Sequence, residues 1–304
     1  MMNGIIPLWK PKGMTSHDCV NKLRGILQTK KIGHTGTLDP NVEGVLPMTV
    51  GKATKLTSFI TDHTKTYVAE VSLGQQTTTE DNTGDTVSSK IVDPTLTLED
   101  CKHAIEKFKG EIRQIPPMYS AVKVNGMKLY EYAREGLEVE RPVRDVTIHS
   151  IELATDQFEQ YSNNDVRFSF RINCSSGTYV RTLCVDIGAE IGYPAHMTHL
   201  IREEAGTFHR DETVTFAELE EAKGTAALES YIQDSGRALT EIPVYVVEDD
   251  EIIRFKHGQV LPIPDKLKEN DLFRVETEYG ELIALYQPHP TKSDLMKPYK
   301  VLQT

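Results

Sequence analysis

The residue that most constrains this chain is Asp39, which is followed by a proline in the glycine-rich stretch 33–56. Proline fixes its own φ and pushes the preceding residue out of helical geometry, so no helix can pass through Asp39. Gly36 and Gly44 allow tight turns or a close backbone approach. We therefore predict a shaped loop that presents the Asp39 carboxylate, with the imidazole of His34 in the same stretch.

An Asp-Pro pair also has a purely structural interpretation. At a turn, an Asp side chain often accepts a hydrogen bond from backbone N–H groups nearby in the chain. On this interpretation Asp39 shapes the loop and takes no part in chemistry. In either case the loop is anchored to a core by the apolar residues that follow it, which are Val45, Leu46, Met48 and Val50.

Length and composition indicate an ordinary folded protein. The 304 residues are enough for about two domains, and 38% apolar and 26% charged residues are typical of globular chains. The apolar run at the N-terminus is too short for a signal peptide. We expect reduced, buried thiols and no metal site, because no C-x-x-C pair occurs among the cysteines Cys19, Cys101, Cys174 and Cys184. These features predict a cytoplasmic location and no membrane contact.

The charge is distributed unevenly along the chain. The net charge is −11, which by itself argues against a polyanionic partner. Residues 1–60, however, carry eight Lys or Arg against three acidic residues, so this segment has a net charge of +5 and the remainder −16. A basic segment around the Asp39 loop is what nucleic-acid binding needs, although a solvated basic surface would look the same.

Apolar spacing and capping signals predict alternating strands and helices. Tyr67 lies on the apolar face of one predicted strand, and Arg181 lies in the first turn of a predicted helix that ends at Gly192. Elements of the first half are strand 5–8, helix 17–28, strand 66–73, an exposed loop over 75–95, a helix from Leu98 that stops at Gly110, a turn at Asn125-Gly126 and a short helix around Tyr130. Those of the second half are strands 141–153 and 166–174 joined by a loop, helix 180–191, a helix from Thr215 to about Tyr231, and strands 244–247, 272–277 and 282–286.

Arg181 and Tyr67 indicate what chemistry the Asp39 loop could take part in. A cation in the first turn of a helix is disfavoured by the helix dipole, so Arg181 needs an anionic partner unless it is a solvated surface residue. Tyr67 could stack on a base, move a proton or simply pack in the core. A carboxylate beside an Arg guanidinium stays ionised, which suits a nucleophile. No phosphate-binding loop or dinucleotide motif is present, and no nucleotide cofactor is supported.

Five segments closely resemble the bacterial tRNA pseudouridine synthases of the TruB type. They are KPKGMTSHDCV (10–20), GHTGTLDPNVEGVLPMTVGKATKL (33–56), KTYVAEVSLG (65–74), PPMYSAVKVNG (116–126) and SSGTYVRTLCVDIGAEIG (175–192). The chain departs from the family pattern at Val42, where a small Ala is usual, and after Leu200, where Ile201 and the pair Glu203-Glu204 replace a more basic stretch. The second departure weakens any phosphate contact expected at that turn.

The resemblance implies isomerisation of uridine to pseudouridine at position 55 in the T-loop of tRNA, with no cofactor and no metal. Asp39 would be the nucleophile, attacking either ribose C1′ or uracil C6. Tyr67 would stack on the target uracil and could help to remove the C5 proton, and Arg181 would pair with Asp39. The target base must leave the stack, and His34 would occupy the space it vacates.

The resemblance also assigns substrate contacts. Tyr179 would pack beneath the uracil or support Arg181, and Leu200 would line the substrate site. The lysines expected to contact phosphates are Lys10, Lys12, Lys30, Lys31 and Lys55. The partner would be the T-arm stem-loop of tRNA, bound by a monomer that requires no protein partner.

The fold implied is α+β, a mixed, largely antiparallel sheet flanked by helices around a central cleft. Residues 1–237 would form the catalytic domain and 238–304 a small β-rich PUA-like RNA-binding domain. An alternative function is a non-catalytic RNA-binding protein or tRNA-folding chaperone. A second alternative is a guide-RNA-dependent relative, but those usually carry Lys-rich extensions, which are not found in this sequence.

Overall fold

The computed structural model describes residues 2–302. Its strands are β1 (Gly4–Lys10), β2 (Ile32–His34), β3 (Glu43–Val50), β4 (Lys65–Leu73), β5 (Gln75–Thr77), β6 (Thr86–Ser89), β7 (Gly110–Gln114), β8 (Lys123–Val124), β9 (Met127–Lys128), β10 (Arg144–Leu153), β11 (Glu159–Ser162), β12 (Asp165–Cys174), β13 (Ala195–Ala205), β14 (Phe208–His209), β15 (Val244–Val247), β16 (Leu261–Pro262), β17 (Phe273–Thr277), β18 (Leu282–His289) and β19 (Lys292–Val301). The α-helices are α1 (Ser16–Leu27), α2 (Thr57–Thr61), α3 (Leu98–Glu106), α4 (Leu129–Glu135), α5 (Val180–Ile191), α6 (Phe216–Glu221), α7 (Ala227–Ser230) and α8 (Ile252–Lys256).

Strands and helices are mixed along the chain, which confirms the α+β class. The chain forms two compact units, one made of the residues up to Asp62 together with those from Ala205 onward, and one made of His63–Glu204. Within residues 2–302, no helix combines the length and the apolar character needed to cross a lipid bilayer.

The first unit begins with a strand pair that holds the glycine-rich stretch. Strands β1 and β3 are antiparallel from Gly4 opposite Val50 to Lys10 opposite Gly44, and the short β2 pairs with the far end of β3. Helix α1 begins after the capping box of Thr15 and Asp18, as the sequence predicts. Its apolar face packs on β1 and β3 and on side chains of the later segment, namely Val214, Phe216, Leu219, Ala222 and Leu228.

The tail of the chain is β-rich, as expected. Its strands follow the order β15-β17-β18-β19-β16, with β15 and β17 parallel and the other pairs antiparallel. The tail also packs on the N-terminal part of the same unit, where Leu282, Leu285 and Leu302 share an apolar cluster with Ile5 and Val45. The division into domains at residue 237 stays a prediction.

The second unit contains a sheet with helices against it. Strands β4 and β12 pair antiparallel over their full length, from Lys65 opposite Cys174 to Leu73 opposite Val166. β10 pairs with β12 and with β7, again antiparallel. Burial alternates along β12 and over residues 67–71 of β4, where Tyr67 is on the buried face as predicted. Helices α3 and α5 contact each other, and each also contacts a strand of the sheet.

The structure differs from the sequence-based expectation in four of the segments discussed above. The predicted loop 75–95 contains the hairpin β5–β6, and the loop between β10 and β12 contains β11. The predicted helix from Thr215 is interrupted between α6 and α7, where Gly224 adopts a φ of 79° that a continuous helix does not allow. The stretch after Leu200, expected as a turn, lies within the 11-residue strand β13.

Candidate active site

Hydrogen bonds fix the backbone on both sides of Asp39, whose side chain is half-buried between β2 and β3. On one side, the N–H of Leu38 donates to the hydroxyl of Ser16 at 2.9 Å. On the other, the N–H of Val42 donates to the carbonyl of Asp39 at 3.1 Å, which closes a turn. The glycine at position 13 also donates to the carbonyl of Pro40 at 2.8 Å. The carboxylate is therefore carried on a segment with little backbone freedom.

Lys10 is part of the same structure. Its side chain is fully buried, and its ammonium donates to the carbonyl oxygens of Pro11 at 3.0 Å, Pro40 at 3.2 Å and Val42 at 2.6 Å. The phosphate contact expected from the sequence is wrong for this residue, because a fully buried ammonium cannot reach a solvated phosphate. Instead Lys10 fastens the Asp39 loop to the end of β1.

The other candidate lysines of the first unit are exposed. Lys12 lies 4.0 Å from Glu43, a distance that indicates a weak surface pair. Lys30 and Lys31 lie just before β2. Lys55 donates to the carbonyl of Val301 at 2.7 Å, so part of its hydrogen-bonding capacity is used within the unit. A basic surface is therefore present near the start of β2, and its contact with RNA stays a prediction.

His34, Tyr67 and Leu200 lie on strands. His34 is the last residue of β2, opposite Met48, and is half-buried. Tyr67 of β4 lies opposite Ile172 of β12 and is 9% exposed. Leu200 of β13 is 8% exposed. Burial of Tyr67 agrees with packing in the core as well as with a ring at the edge of a site. The substrate roles of these three residues stay predictions.

Arg181 is buried at the start of α5, with only 6% of its surface exposed. Its Nη1 donates to the carbonyl of Thr79 at 3.1 Å and its Nη2 to the carbonyl of Tyr119 at 2.9 Å. These two bonds fix the plane of the guanidinium, which a lysine could not reproduce. The alternative that Arg181 is a solvated surface residue is wrong.

Tyr179 is the residue that precedes α5, and its backbone is held on both sides by one amide. The N–H of Tyr179 donates to Oε1 of Gln114 at 3.0 Å, and Nε2 of Gln114 donates to the carbonyl of Tyr179 at 3.3 Å. Gln114 is buried, and it was not among the residues singled out from the sequence. A polar residue at the end of an otherwise ordinary strand was the available signal, and it carries little information by itself.

Two acidic residues beside α5 were also missed. Burial raises the pKa of Glu80, while a hydrogen bond from Thr182 and the charge of Arg181 act in the opposite direction. Burial, and then the nearby charge of Glu80, raises the pKa of Asp186 to about 6. The two carboxyl groups are therefore electrostatically linked at the helix that carries Arg181.

Glu203 and Glu204 on β13 share one cation from another strand. The guanidinium of Arg171 lies 3.0 Å from Glu203 and 3.4 Å from Glu204, and the hydroxyl of Thr66 donates to Glu204 at 2.5 Å. The acidic pair thus belongs to a network on β4, β12 and β13.

Comparison with known proteins decides the family. Residues 24–180 match the model of the TruB family pseudouridylate synthase N-terminal domain, and residues 181–240 match the tRNA pseudouridylate synthase B C-terminal domain. The chain belongs to the TruB family of pseudouridylate synthases. Members of this family are enzymes that isomerise uridine to pseudouridine.

Relatives of the TruB family match over the full length. The chain is 50% identical to the proteins named tRNA pseudouridine synthase B of Bacillus subtilis and Bacillus velezensis, over 99% of this chain and 98% of each relative. Among solved structures, it resembles a chain of a Cbf5-Nop10-Gar1 complex, with a TM-score of 0.72 and 28% identity over 99% of this chain and 85% of that one. A chain of an H/ACA RNP bound to a substrate RNA containing 2'-deoxyuridine gives a TM-score of 0.71 and 26% identity, with 99% and 85% covered.

The candidate residues of this TruB family member are divided between the two units. Asp39, His34 and the lysines belong to the first unit, whereas Tyr67, Tyr179, Arg181 and Leu200 belong to the second. Pairing of Asp39 with Arg181 stays a prediction.

Proposed function

We propose that this chain isomerises uridine to pseudouridine at position 55 in the T-loop of tRNA, with Asp39 as the nucleophile. The observation that carries the assignment is the fixed loop around Asp39, which Ser16, Lys10 and a tight turn hold on both sides. A carboxylate that attacks a defined carbon must be positioned before the substrate arrives, and a fixed loop supplies that positioning. The relatives are named tRNA pseudouridine synthase B, which supports tRNA as the substrate.

The reaction breaks one bond and forms another within the same nucleotide. The N-glycosidic bond between uracil N1 and ribose C1′ is cleaved, the base turns, and C5 bonds to C1′. The proton on C5 is then removed and N1 gains a proton, so no oxidant or reductant is needed. Asp39 attacks either ribose C1′ or uracil C6.

Two residues of the second unit have proposed roles in that reaction. Tyr67 stacks on the uracil and assists removal of the C5 proton, and its place near the start of β4 supports this role. Arg181 pairs with Asp39 and keeps it ionised. The two backbone carbonyls that bind its Nη atoms support this role, since they hold the guanidinium in one plane.

Access to the glycosidic bond requires the nucleotide to leave the stack, which costs a few kcal/mol. We infer that His34 occupies the vacated space, that Tyr179 packs beneath the uracil or supports Arg181, and that Leu200 lines the site. Lys12, Lys30, Lys31 and Lys55 supply phosphate contacts, and the β-rich tail is a PUA-like RNA-binding module within a monomer that works in the cytoplasm.

The proposal is tested by Asp39→Asn, with Asp271→Asn as the matched control because Asp271 is an exposed carboxylate of the same unit. Pseudouridine formation is measured on a transcribed T-arm stem-loop, together with the Kd for that RNA. We expect no detectable product from Asp39→Asn, an unchanged Kd within about threefold, and normal product from Asp271→Asn.

Near-normal turnover by Asp39→Asn would contradict the nucleophile assignment. If the unaltered protein binds the stem-loop tightly and forms no pseudouridine, the alternative of a non-catalytic RNA-binding protein or tRNA-folding chaperone is correct for this substrate.

A further inference from the structure

The segment between β5 and β6 supplies one of the two carbonyls that bind Arg181, and it is internally braced. Oδ1 of Asp81 accepts hydrogen bonds from the hydroxyl of Thr79 at 2.6 Å and from the N–H of Thr83 at 2.9 Å. A Cβ added to Gly84 would lie 2.5 Å from the Thr79 hydroxyl, so the turn is closed as tightly as a glycine allows. Thr79 therefore presents its carbonyl to Arg181 from a rigid support.

Glu80, the next residue, adopts a backbone conformation that non-glycine residues rarely use. Its φ is 63°, which costs on the order of 1 kcal/mol. The conformation is fixed by a backbone hydrogen bond from Met197 to the carbonyl of Glu80 at 3.0 Å. Such a conformation persists only where surrounding contacts determine it, and here it turns the Glu80 side chain towards the start of α5.

The Glu80 carboxylate contacts the first turn of α5. The hydroxyl of Thr182 donates to its Oε2 at 2.7 Å, and the charge of the neighbouring Arg181 favours the ionised form of Glu80. A cation in the first turn opposes the helix dipole, whereas an anion there is stabilised by it. The Glu80 carboxylate thus brings a negative charge to the first turn of α5, beside the residue that precedes Thr182.

We propose that Glu80 is a positioning residue for Arg181: its carboxylate, fixed by Thr182 and by the braced turn, keeps the Arg181 guanidinium in the plane set by the carbonyls of Thr79 and Tyr119. The effect on catalysis rests on the proposed function of Arg181. The contact itself does not, because it lies wholly within the second unit.

Glu80→Gln is the informative variant because it keeps size and an acceptor for Thr182 but removes the charge. We expect conversion of bound T-arm RNA in a single turnover to slow about tenfold, while the Kd for RNA stays within about twofold. Because burial disfavours the Glu80 charge, the melting temperature should be equal to or above that of the unaltered protein. A merely structural residue would not combine slower chemistry with undiminished stability.

The matched control is Glu70→Gln. Glu70 also accepts a hydrogen bond from a threonine hydroxyl and pairs with an arginine, namely Thr198 at 2.5 Å and Arg167 at 3.2 Å, but it lies on β4. The Glu70→Gln variant should convert bound T-arm RNA at a rate within about twofold of that of the unaltered protein. At the other end of the contact, Thr182→Ser keeps the hydroxyl and should convert RNA at the normal rate. Thr182→Val removes the donor and should slow conversion as Glu80→Gln does, with a lower melting temperature because the Glu80 carboxylate loses its hydrogen bond.

A double-mutant cycle tests whether Glu80 acts through Arg181. In an Arg181→Lys background, adding Glu80→Gln should change the rate less than about twofold, because the group that Glu80 orients is gone. A full tenfold loss in both backgrounds, or a normal rate for Glu80→Gln alone, would overturn the proposal.

A second measurement needs no catalysis. In protein labelled with ¹⁵N-arginine, the guanidinium signals of Arg181 are identified by their loss in Arg181→Lys. We expect restricted rotation about Cζ–Nη in the unaltered protein and in Glu70→Gln, and faster rotation in Glu80→Gln. Unchanged rotation in Glu80→Gln would contradict the positioning role. If the unaltered protein forms no pseudouridine, the proposed function fails while this measurement still decides the role of Glu80.

Discussion

Lys10 and Lys12 are two residues apart in the sequence, yet the structure gives them different tasks. Lys10→Met would leave the carbonyl of Val42 without its buried donor and remove one of the two donors to Pro40, so we expect the free energy of unfolding to fall by roughly 1–3 kcal/mol. Conversion of bound RNA should also slow, because the Asp39 loop loses its fastening. Lys12→Met should change stability by less than about 0.5 kcal/mol. Denaturant unfolding and single-turnover kinetics of both variants provide the comparison; equal stability of the two would contradict the role of Lys10.

Arg181→Lys keeps a positive charge but cannot donate to the carbonyls of Thr79 and Tyr119 in one plane. We expect pseudouridine formation to slow at least tenfold with RNA affinity nearly unchanged. Arg113→Lys is the control, since Arg113 is largely exposed and its contact with Asp145 is 3.9 Å long. If Arg181→Lys and Arg113→Lys convert RNA at the same rate, Arg181 has no part in catalysis.

At the residue scale, sequence reasoning identified residues with an unusual local position and missed those that support them. Asp39 beside a proline and Arg181 at a helix start each break a local rule, and such a break is visible in one sequence. Gln114, Glu80 and Ser16 break none, because each acts through a partner 22 to 102 residues away. For Lys10, charge suggested a surface contact, although only the fold reveals that its ammonium is enclosed by carbonyl oxygens.

At the scale of elements, ionisation of a carboxyl group on helix α5 lowers the free energy of unfolding as the pH rises. The pKa of Asp186 is raised to about 6, above its ordinary value of 3.8, by burial first and by Glu80 second. The folded protein therefore holds a proton between about pH 4 and pH 6 that the unfolded chain has released, so stability from this group declines as pH rises through that window. Since one pH unit corresponds to ~1.4 kcal/mol, the loss above pH 6 is at most about 3 kcal/mol.

Asp186→Asn should remove that loss. We expect the variant to be more stable than the unaltered protein at pH 7.5, by up to about 3 kcal/mol, and about equally stable at pH 4. Denaturant unfolding at the two pH values measures both differences. A stability gain that is the same at pH 4 as at pH 7.5 would show that the ionised carboxylate is not its source.

Local patterns predicted the longer helices and several of the strands, and the errors have physical causes. The capping boxes at Thr97 and Thr215 and the αL glycine after α5 are formed as expected, because caps depend on neighbours in sequence. The hairpin β5–β6 was missed because its strands are short and polar, so no apolar alternation marks them. The stretch after Leu200 was described as a turn on the family resemblance, whereas it continues strand β13, and its acidic pair shares Arg171 of another strand.

For the whole molecule, the basic N-terminal segment predicts salt-dependent binding of RNA. Lys30 and Lys31 are exposed, and removing one lysine–phosphate interaction should reduce the slope of log Kd against log salt by about 0.7–0.9. The double variant Lys30→Gln with Lys31→Gln should therefore show a slope smaller by up to about 2. Lys102→Gln is the control, because Lys102 is exposed and paired with Glu99. Binding that is indifferent to ionic strength would exclude a phosphate contact by this segment.

Topology could not be read from periodicity. The order of strands and the association of the first 62 residues with the segment from Ala205 onward depend on pairings far apart in sequence, and nothing in the local pattern specifies them. Only the family resemblance supplied a fold. The five matching segments carry the residues of the loop, of β4 and of α5, so the resemblance was most informative where the site candidates lie.

The discontinuous first unit has a consequence for how the protein is made. Strand β1, helix α1 and the Asp39 loop emerge early in synthesis, but Val214, Phe216 and Leu219, which cover the apolar face of α1, are added about 150 residues later. At a typical elongation rate of 5–20 residues per second, the apolar face of α1 waits on the order of ten seconds for its covering side chains. Helix α1, which supports the Asp39 loop through Ser16, should therefore complete its packing only in the last third of translation, although its residues are among the first to leave the ribosome.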